Sequence, residues 1–234
     1  GVPRNEIFLT TKVWIEHYGY EQTKASVYES MQKLKVNYID LVLLHQPFAD
    51  YYGAWRALED MYADGKIRAI GISNFYPDRM VDLASFSRIK PMVNQVETHP
   101  FNQQIEAQEW MKKYGVQIEA WAPFGEGRGG LFTNETIAKI AAKYNKTVAQ
   151  VILRWELQRG IVVIPKSVHI ERMEQNLDVF DFKLTEEDMN VMASLDKRQS
   201  SFFSHTDPAM VEWFVKMVEE RKKNNDHKKE KKSW

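Results

Sequence analysis

YIDLVLLHQP, at residues 38–47, is the stretch of sequence that decides the fold. The four apolar residues at 41–44 do not alternate with polar ones, which is typical of a parallel strand covered on both faces. Pro47 then ends the strand, because proline has no backbone N–H to donate to a neighbouring strand. The stretch therefore predicts an α/β fold, and it places His45 at the carboxyl end of a strand, where such folds hold their functional side chains.

The composition limits the class of protein. A chain of 234 residues with 44% apolar content can build one large core, so a single domain over residues 1–234 is expected, with a charged tail from about Lys216. Basic and acidic residues balance at 32 each, and no net charge favours nucleic acid or a membrane surface. The absence of cysteine excludes disulfides and thiolate ligands and suits a cytoplasmic protein, and no apolar run approaches the ~18 residues of a membrane span.

Strand and helix patterns alternate on both sides of this stretch. Further strands are predicted at 7–13, 67–72, 91–96, 116–122 and 161–164, and helices at 22–34, 52–62, from Pro77, from 105 to Gly115, and at 135–144, 148–158 and 170–177, with two more after Thr185 and Pro208. This alternation favours a parallel sheet with right-handed crossovers.

Six strands leave two architectures open. One is an open, doubly wound sheet, and the other is a (β/α)8 barrel of the TIM type, of which this chain carries about six of the eight β/α units. In the second case the first two units, about 60 residues, are expected before Gly1, because the chain enters a strand within a few residues.

Polar or aromatic side chains follow at the carboxyl end of every predicted strand. They are Lys12, His45, Ser73 with Asn74, Gln95 with Glu97, Trp121, and Lys166 with Ser167. The carboxyl ends of parallel strands share one edge of a sheet, so we expect these side chains on one rim. A cofactor and substrate site in a β/α barrel requires such a rim.

The segment after the last strand, IPKSVHIERMEQN at 164–176, predicts a phosphate site. Lys166 and Arg172 supply cations, Ser167 supplies a hydroxyl, and the following helix offers free backbone N–H groups at its amino end. Two cations suit the additional phosphate of NADPH better than they suit NADH. The alternative is the solvated basic face of a surface helix.

Three other kinds of site find no support. GEGRGG at 125–130 matches G-x-G-x-x-G, but Pro123 and Phe124 separate it from the strand and no helix opens at its third glycine. We therefore expect a mobile loop that closes over a ligand. No helical pair of His, Asp or Glu has metal-ligand spacing, so no metal is expected, and the lack of G-x-S-x-G argues against a hydrolase triad.

Six motifs together resemble those of the aldo-keto reductases. They are FLTTKVW, YIDLVLLHQP, GISNF, VNQVETHPF, AWAPFGEG and IPKSVHIERMEQNLDVFDF. The resemblance spans about residues 2–213, and AWAPFG and SFFSHTDPAMVEWF make it closest to bacterial 2,5-diketo-D-gluconate reductases. It implies a (β/α)8 barrel that uses NADPH to reduce a small aldehyde or ketone without a metal, with neither nucleic acid nor membrane as a partner. We expect a monomer.

The resemblance also assigns roles to individual residues. Lys12 matches the active-site lysine of the family, and His45 matches the histidine that orients or helps to protonate the carbonyl. Trp14 resembles part of the apolar substrate wall, although an ordinary buried tryptophan would fit as well. Ser73, Asn74 and Gln95 match the carboxamide ligands, Trp121 the ring stacked on the nicotinamide, and Lys166, Ser167, Val168, Arg172 and Asn176 the pocket of the adenosine 2′-phosphate and adenine. At Gln175 many members have an acid instead.

The catalytic tetrad of the family also includes an aspartate and a proton-donating tyrosine, both upstream of the lysine strand. Residues 1–234 contain no match to either. Four tyrosines follow strand ends without matching a motif: Tyr18, Tyr20, Tyr51 and Tyr52. The chain is therefore expected to be impaired in turnover, and the alternative function is a non-catalytic NADPH-binding scaffold or regulatory protein on the same barrel.

Overall fold

The structure is a computed structural model that describes the backbone of residues 1–230 and the side chains of residues 1–224. Its six strands form one parallel sheet in which strand order follows chain order: β1 (Thr10–Val13), β2 (Ile39–Leu44), β3 (Ile67–Ser73), β4 (Val93–Glu97), β5 (Gln117–Trp121) and β6 (Val162–Val163). A doubly wound sheet would reverse its order at a switch point. Six consecutive units of the (β/α)8 type are the architecture that the sequence predicted.

Helices connect the strands in the expected places. They are α1 (Tyr20–Leu34), α2 (Tyr51–Ala63), α3 (Pro77–Phe86), α4 (Ile105–Tyr114), α5 (Glu135–Tyr144), α6 (Val148–Gln158), α7 (Ile170–Leu177), α8 (Glu186–Ala193) and α9 (Pro208–Glu230). The predicted ranges of α5, α6 and α7 are confirmed at both ends. None of the helices in the described part of the chain combines the length and the apolar character needed to cross a membrane.

The chain divides into two compact units. The first comprises Gly1–Ile70 and Phe202–Trp234, the second comprises Gly71–Ser201, and the boundary falls within β3. Lys216, where the sequence predicts a charged tail, lies inside α9. Residues 231–234, the end of that predicted tail, lie outside the described residues. The single domain over residues 1–234 stays a prediction.

In the first unit, the core is built on β2. All six of its residues are buried. The helix α2, with the fully buried Leu58, packs against β2, and α1, with the fully buried Val27, packs against β1 and α2. The prediction that a strand begins at residue 7 is wrong. Arg4–Glu6 form a turn of 3-10 helix, Phe8 is 69% exposed, and the ladder begins where the Leu41 N–H donates to the Leu9 carbonyl.

In the second unit, the register of β4 and β5 places Gln95 opposite Glu119 and Glu97 opposite Trp121. One apolar cluster of this unit includes the fully buried Ile137 on α5 and Trp155 on α6. The prediction that the last strand spans 161–164 is too long. β6 has only the two residues that pair with β5, and within the described chain no strand pairs with its other edge.

The burial of β2 can be tested by paired substitutions. Leu43→Ala is expected to lower the free energy of unfolding by about 2–5 kcal/mol, because Leu43 is fully buried and its loss leaves a cavity. Leu34→Ala, at the 45% exposed end of α1, is the control and should cost about 0.5 kcal/mol. Urea unfolding measures both. Equal losses would contradict the assignment of β2 as the core strand.

Candidate active site

Two neighbouring strands of the first unit carry Lys12 and His45. Lys12 stands opposite Leu43 in the register of β1 and β2, and His45 follows directly after β2. The backbone N–H of His45 donates to the Val13 carbonyl at 3.1 Å, so the ladder still holds this residue beyond the strand end. The parallel pairing thus fixes the backbone of both predicted catalytic residues.

The environment of His45 keeps its imidazole neutral. Burial, followed by the positive charge of Lys12 and then by His205, lowers the pKa of His45 to about 4. At pH 7 the ring therefore carries no charge and offers one nitrogen as a donor and the other as an acceptor. Such a ring can donate a hydrogen bond to a carbonyl oxygen.

The Trp14 ring, which contacts His45, belongs to an aromatic wall made of Trp14, Phe48, Phe203, His205 and Phe214. The Trp14 ring meets His45 edge to face with centroids 4.8 Å apart, and Phe214 lies 5.8 Å from Trp14 and 5.3 Å from Phe48. Trp14 is half-buried, so part of its ring remains accessible. Sequence reasoning did not select Phe48, Phe203 or His205, because loop residues have no periodicity that reveals their neighbours.

The tyrosines near the strand ends make contacts of their own. The Tyr18 hydroxyl is buried between the backbone N–H and C=O of Gln46, and burial raises its pKa well above 10. The Tyr20 hydroxyl donates to Asp60 at 2.7 Å. The rings of Tyr51 and Tyr52 stack on each other with centroids 5.0 Å apart.

In the second unit, four of the predicted cofactor residues form one hydrogen-bonded chain. The Trp121 indole N–H donates to the Asn74 side-chain oxygen at 2.8 Å, and the Asn74 amide donates to the Ser73 hydroxyl at 3.3 Å. The Ser73 hydroxyl and the Asn74 backbone N–H both donate to the Gln95 carbonyl at 2.9 Å. Asn74 has φ +64°, a left-handed conformation that asparagine tolerates better than most residues.

Burial differs along this chain of hydrogen bonds. Ser73, Asn74 and Gln95 are buried, and the Gln95 amide donates to Glu119. Trp121 is half-buried, so one part of its ring can be covered by a ligand while its N–H is held. The arrangement therefore offers a fixed aromatic surface beside fixed amide groups.

A cavity of about 600 Å³ lies elsewhere in the second unit, and we call it the basic cavity. Residues after β6 line one side: Lys166, Ser167, Arg172, Gln175 and Asn176. The segment 124–133 and the start of α6 with its capping residue Thr147 supply the rest: Phe124, Glu126, Gly127, Phe132, Thr147, Val148 and Ala149. Val168 is 69% exposed and does not line it. The cavity thus unites four of the five residues predicted around the phosphate.

The loop at 125–133 has the non-Rossmann geometry that the sequence indicated. It forms 3-10 turns in which Gly127, Gly129 and Gly130 have positive φ, and the next helix begins only at Glu135, capped by Asn134. Among the described residues, no group of three His, Asp or Glu side chains could hold a metal ion. The absence of a metal stays a prediction.

The sequence placed Glu97 at the end of its strand but did not predict that this acid pairs with a buried histidine. Glu97 and His99 are each 1% exposed, and His99 Nε2 lies 2.9 Å from Glu97 Oε1. The Ser201 N–H donates to the same carboxylate at 2.7 Å, and the Ser200 hydroxyl donates to its other oxygen. Residues 200–201 are therefore held at the end of β4 by hydrogen bonds to Glu97.

The comparisons with known proteins agree with these features. The model of the Aldo/keto reductase family matches residues 1–197. The chain belongs to the aldo/keto reductase family. It is thus an oxidoreductase, and the resemblance predicted from the motifs is confirmed.

Individual relatives in the aldo/keto reductase family cover most of the chain. The glyoxal reductase of Bacillus subtilis (strain 168) is 50% identical over 198 residues, which are 84% of this chain and 71% of the relative. An aldo-keto reductase from a Medee basin deep-sea metagenome library superposes with a TM-score of 0.86 at 43% identity, over 88% of this chain and 78% of the other. A Bombyx mori aldo-keto reductase in complex with NADP gives 0.82 at 34%, over 86% and 72%.

The pair of Glu97 and His99 gives a pH-dependent prediction. Burial alone would raise the pKa of Glu97, but hydrogen bonds from His99, Ser200 and Ser201 outweigh it and lower the pKa. The stabilisation is then fully present above the unfolded pKa of ~4.3 and disappears as pH falls through the lower folded value. Glu97→Gln should therefore cost about 1.5–3 kcal/mol at pH 7 and progressively less towards pH 3.

Urea unfolding between pH 3 and 8 checks this expectation. Glu126→Gln is the control, because the Glu126 side chain is 64% exposed and lies 3.8 Å from Arg128. It should change stability by less than about 0.5 kcal/mol at any pH. A cost of Glu97→Gln that does not vary with pH would show that the carboxylate charge is not what stabilises this site.

Proposed function

We propose that the protein reduces small aldehydes or ketones to alcohols with NADPH as the hydride donor. Lys12 and His45 act on the carbonyl, and the second unit holds the cofactor. The observation that carries the proposal is the basic cavity, in which Lys166, Ser167 and Arg172 lie together. Its volume of about 600 Å³ is within the range of sites for small ligands and cofactors.

The groups around the basic cavity fit a phosphorylated nucleotide. Two cations and a hydroxyl next to the amino end of α7 suit the 2′-phosphate, and the guanidinium of Arg172 can bind it with two parallel hydrogen bonds. The apolar lining from Phe124 and Val148 suits a base. NADP is bound in the Bombyx mori relative, which supports the same cofactor here.

The hydrogen-bonded residues at the carboxyl ends of β3, β4 and β5 suit the nicotinamide end. Ser73, Asn74 and Gln95 present hydroxyl and amide groups of the kind that bind a carboxamide, and Trp121 presents a half-buried ring for stacking. When bound, NADPH supplies the hydride that reduces the carbonyl carbon. The protein contributes binding and orientation.

Lys12 and His45 supply the electrostatics at the carbonyl oxygen. The neutral imidazole of His45 donates a hydrogen bond that orients the oxygen and stabilises negative charge as it develops there. The cation of Lys12 lowers the pKa of a neighbouring proton donor. In the family motif this donor is a tyrosine without a counterpart in residues 1–234, so we propose that this chain alone turns over slowly.

The substrate class follows from the aromatic wall and from the relatives. Trp14, Phe48 and Phe214 offer apolar surface near His45, which suits a small carbonyl compound, and Trp14 thus serves as the substrate wall. Glyoxal reductase is 50% identical, which supports a glyoxal-like substrate here. We also propose a monomeric, cytoplasmic enzyme, in agreement with the balanced charge and the absence of cysteine.

A non-catalytic NADPH-binding scaffold is the second candidate function. It is favoured by the absence of a motif tyrosine and by the engagement of the Tyr18 and Tyr20 hydroxyls with Gln46 and Asp60. In this case the basic cavity binds the nucleotide but no substrate is reduced.

Substitution of Arg172 tests the 2′-phosphate assignment. Arg172→Ala should weaken NADPH binding by about 10- to 100-fold, the equivalent of one or two charge-assisted hydrogen bonds, and should leave NADH binding unchanged. Titration of cofactor fluorescence measures both affinities. Lys139→Ala, an exposed lysine on α5 that does not line the basic cavity, is the control and should change neither. Equal losses for both cofactors would contradict the assignment.

A turnover measurement separates the two functions. With saturating NADPH and glyoxal, this chain should oxidise NADPH at least about 10²-fold more slowly than the Bacillus subtilis glyoxal reductase, since it lacks a matched general acid. A rate equal to that of the relative would place the proton donor within residues 1–234. Cofactor binding with no turnover at all would favour the scaffold.

A further inference from the structure

The hydroxyl of Tyr18 forms two hydrogen bonds with the backbone of Gln46, the residue that follows His45. It donates to the Gln46 carbonyl at 2.8 Å and accepts the Gln46 backbone N–H at 3.0 Å. Tyr18 is 7% exposed and Gln46 is 5% exposed, so water is largely excluded from these bonds. One side chain therefore satisfies both backbone groups of the residue that follows the predicted catalytic histidine.

A hydroxyl is suited to this double contact because it can donate one hydrogen bond and accept two. A phenyl ring in its place would remove the hydroxyl that this N–H and this C=O now contact, and a buried polar group that loses a hydrogen bond destabilises the structure unless water enters. Loss of the tyrosine hydroxyl therefore favours a shift of the Gln46 backbone or the entry of water.

The contact of Tyr18 with Gln46 restrains His45 through the backbone, because the two residues are adjacent. On one side the His45 N–H is held by the Val13 carbonyl at 3.1 Å, and on the other side the next residue is held by Tyr18. His45 is thus fixed between the β1 ladder and the tyrosine. Its ring meets Trp14 edge to face, a geometry that a small rotation of the backbone would disturb.

We propose that Tyr18 is a positioning residue for His45 and acts through the backbone of Gln46. The importance of Tyr18 for carbonyl reduction rests on the function proposed above. Its effect on the environment of His45 does not depend on that function. The charged and titratable groups that act on the imidazole include Lys12 on β1 and His205 before α9. Tyr18 adds no charge, and what it contributes is the buried position of the ring.

The test is the pH titration of His45 in the Tyr18→Phe variant, monitored by NMR of the imidazole. The His45→Gln variant identifies which resonance belongs to His45. In the unchanged protein the ring should protonate only near pH 4. In Tyr18→Phe, water that enters to reach Gln46 should hydrate the ring and move its pKa above about 5, towards the ordinary 6.5. Tyr20→Phe is the matched control, since it removes a hydroxyl contact of 2.7 Å two residues away and should leave the titration unchanged.

A titration of Tyr18→Phe that matches the unchanged protein would overturn the proposal, and so would an equal shift in Tyr20→Phe. If Tyr18→Phe does not fold, hydrogen exchange of the unchanged protein tests the proposed role of Tyr18 instead. The Gln46 amide should then exchange about as slowly as the His45 amide in the ladder, and fast exchange at Gln46 would overturn the proposal. Neither measurement requires NADPH binding or turnover, so a failure of the proposed function would be recognised separately.

Discussion

The common direction of the six strands is the constraint on which the rest of the structure depends. In a parallel sheet every strand ends at the same edge, so the residues after each strand become neighbours without being neighbours in sequence. The strand register shows such neighbours: Lys12 on β1 stands opposite Leu43 on β2, and Glu97 on β4 stands opposite Trp121 on β5. Apolar burial of β2 stabilises the ladder, and the ladder in turn fixes the backbone of His45.

The predicted functional residues are held in two physically different ways. Ser73, Asn74 and Gln95 are buried and hydrogen-bonded to one another, so their orientation is fixed before any ligand arrives. Lys166 and Arg172 are exposed, and their long side chains must be ordered when an anion binds. In the proposed function, orientation of the nicotinamide and attraction of the phosphate therefore belong to different elements of the same unit.

Local signals made much of the fold predictable. Asn134 and Thr147 cap the helices that follow them, and Gly115 ends α4 in a left-handed conformation, so helix ends could be placed from single residues. The strand-end residues could be selected because an apolar run followed by a polar side chain is itself a local pattern. The start of β1 could not, since residues 7–9 have the composition of a strand but only the Leu9 carbonyl joins the ladder.

Contacts between segments that are far apart in the chain could not be predicted from the sequence. The bond from Ser201 to Glu97 joins residues 104 positions apart, and the contact of Tyr18 with Gln46 spans 28. The aromatic wall likewise unites Trp14 with Phe214. No local pattern in any of these segments identifies the partner, and it becomes evident only once the fold has brought the segments together.

We propose that the residues at the carboxyl ends of β3, β5 and β6 form one cofactor site. Hydrogen exchange with and without NADP+ tests it most directly. With NADP+ bound, exchange should slow at residues 73–75, 120–130 and 166–176 and should not change in α4, which contributes no residue to the basic cavity. Unchanged exchange in all three segments at saturating NADP+, or protection confined to α4, would contradict it.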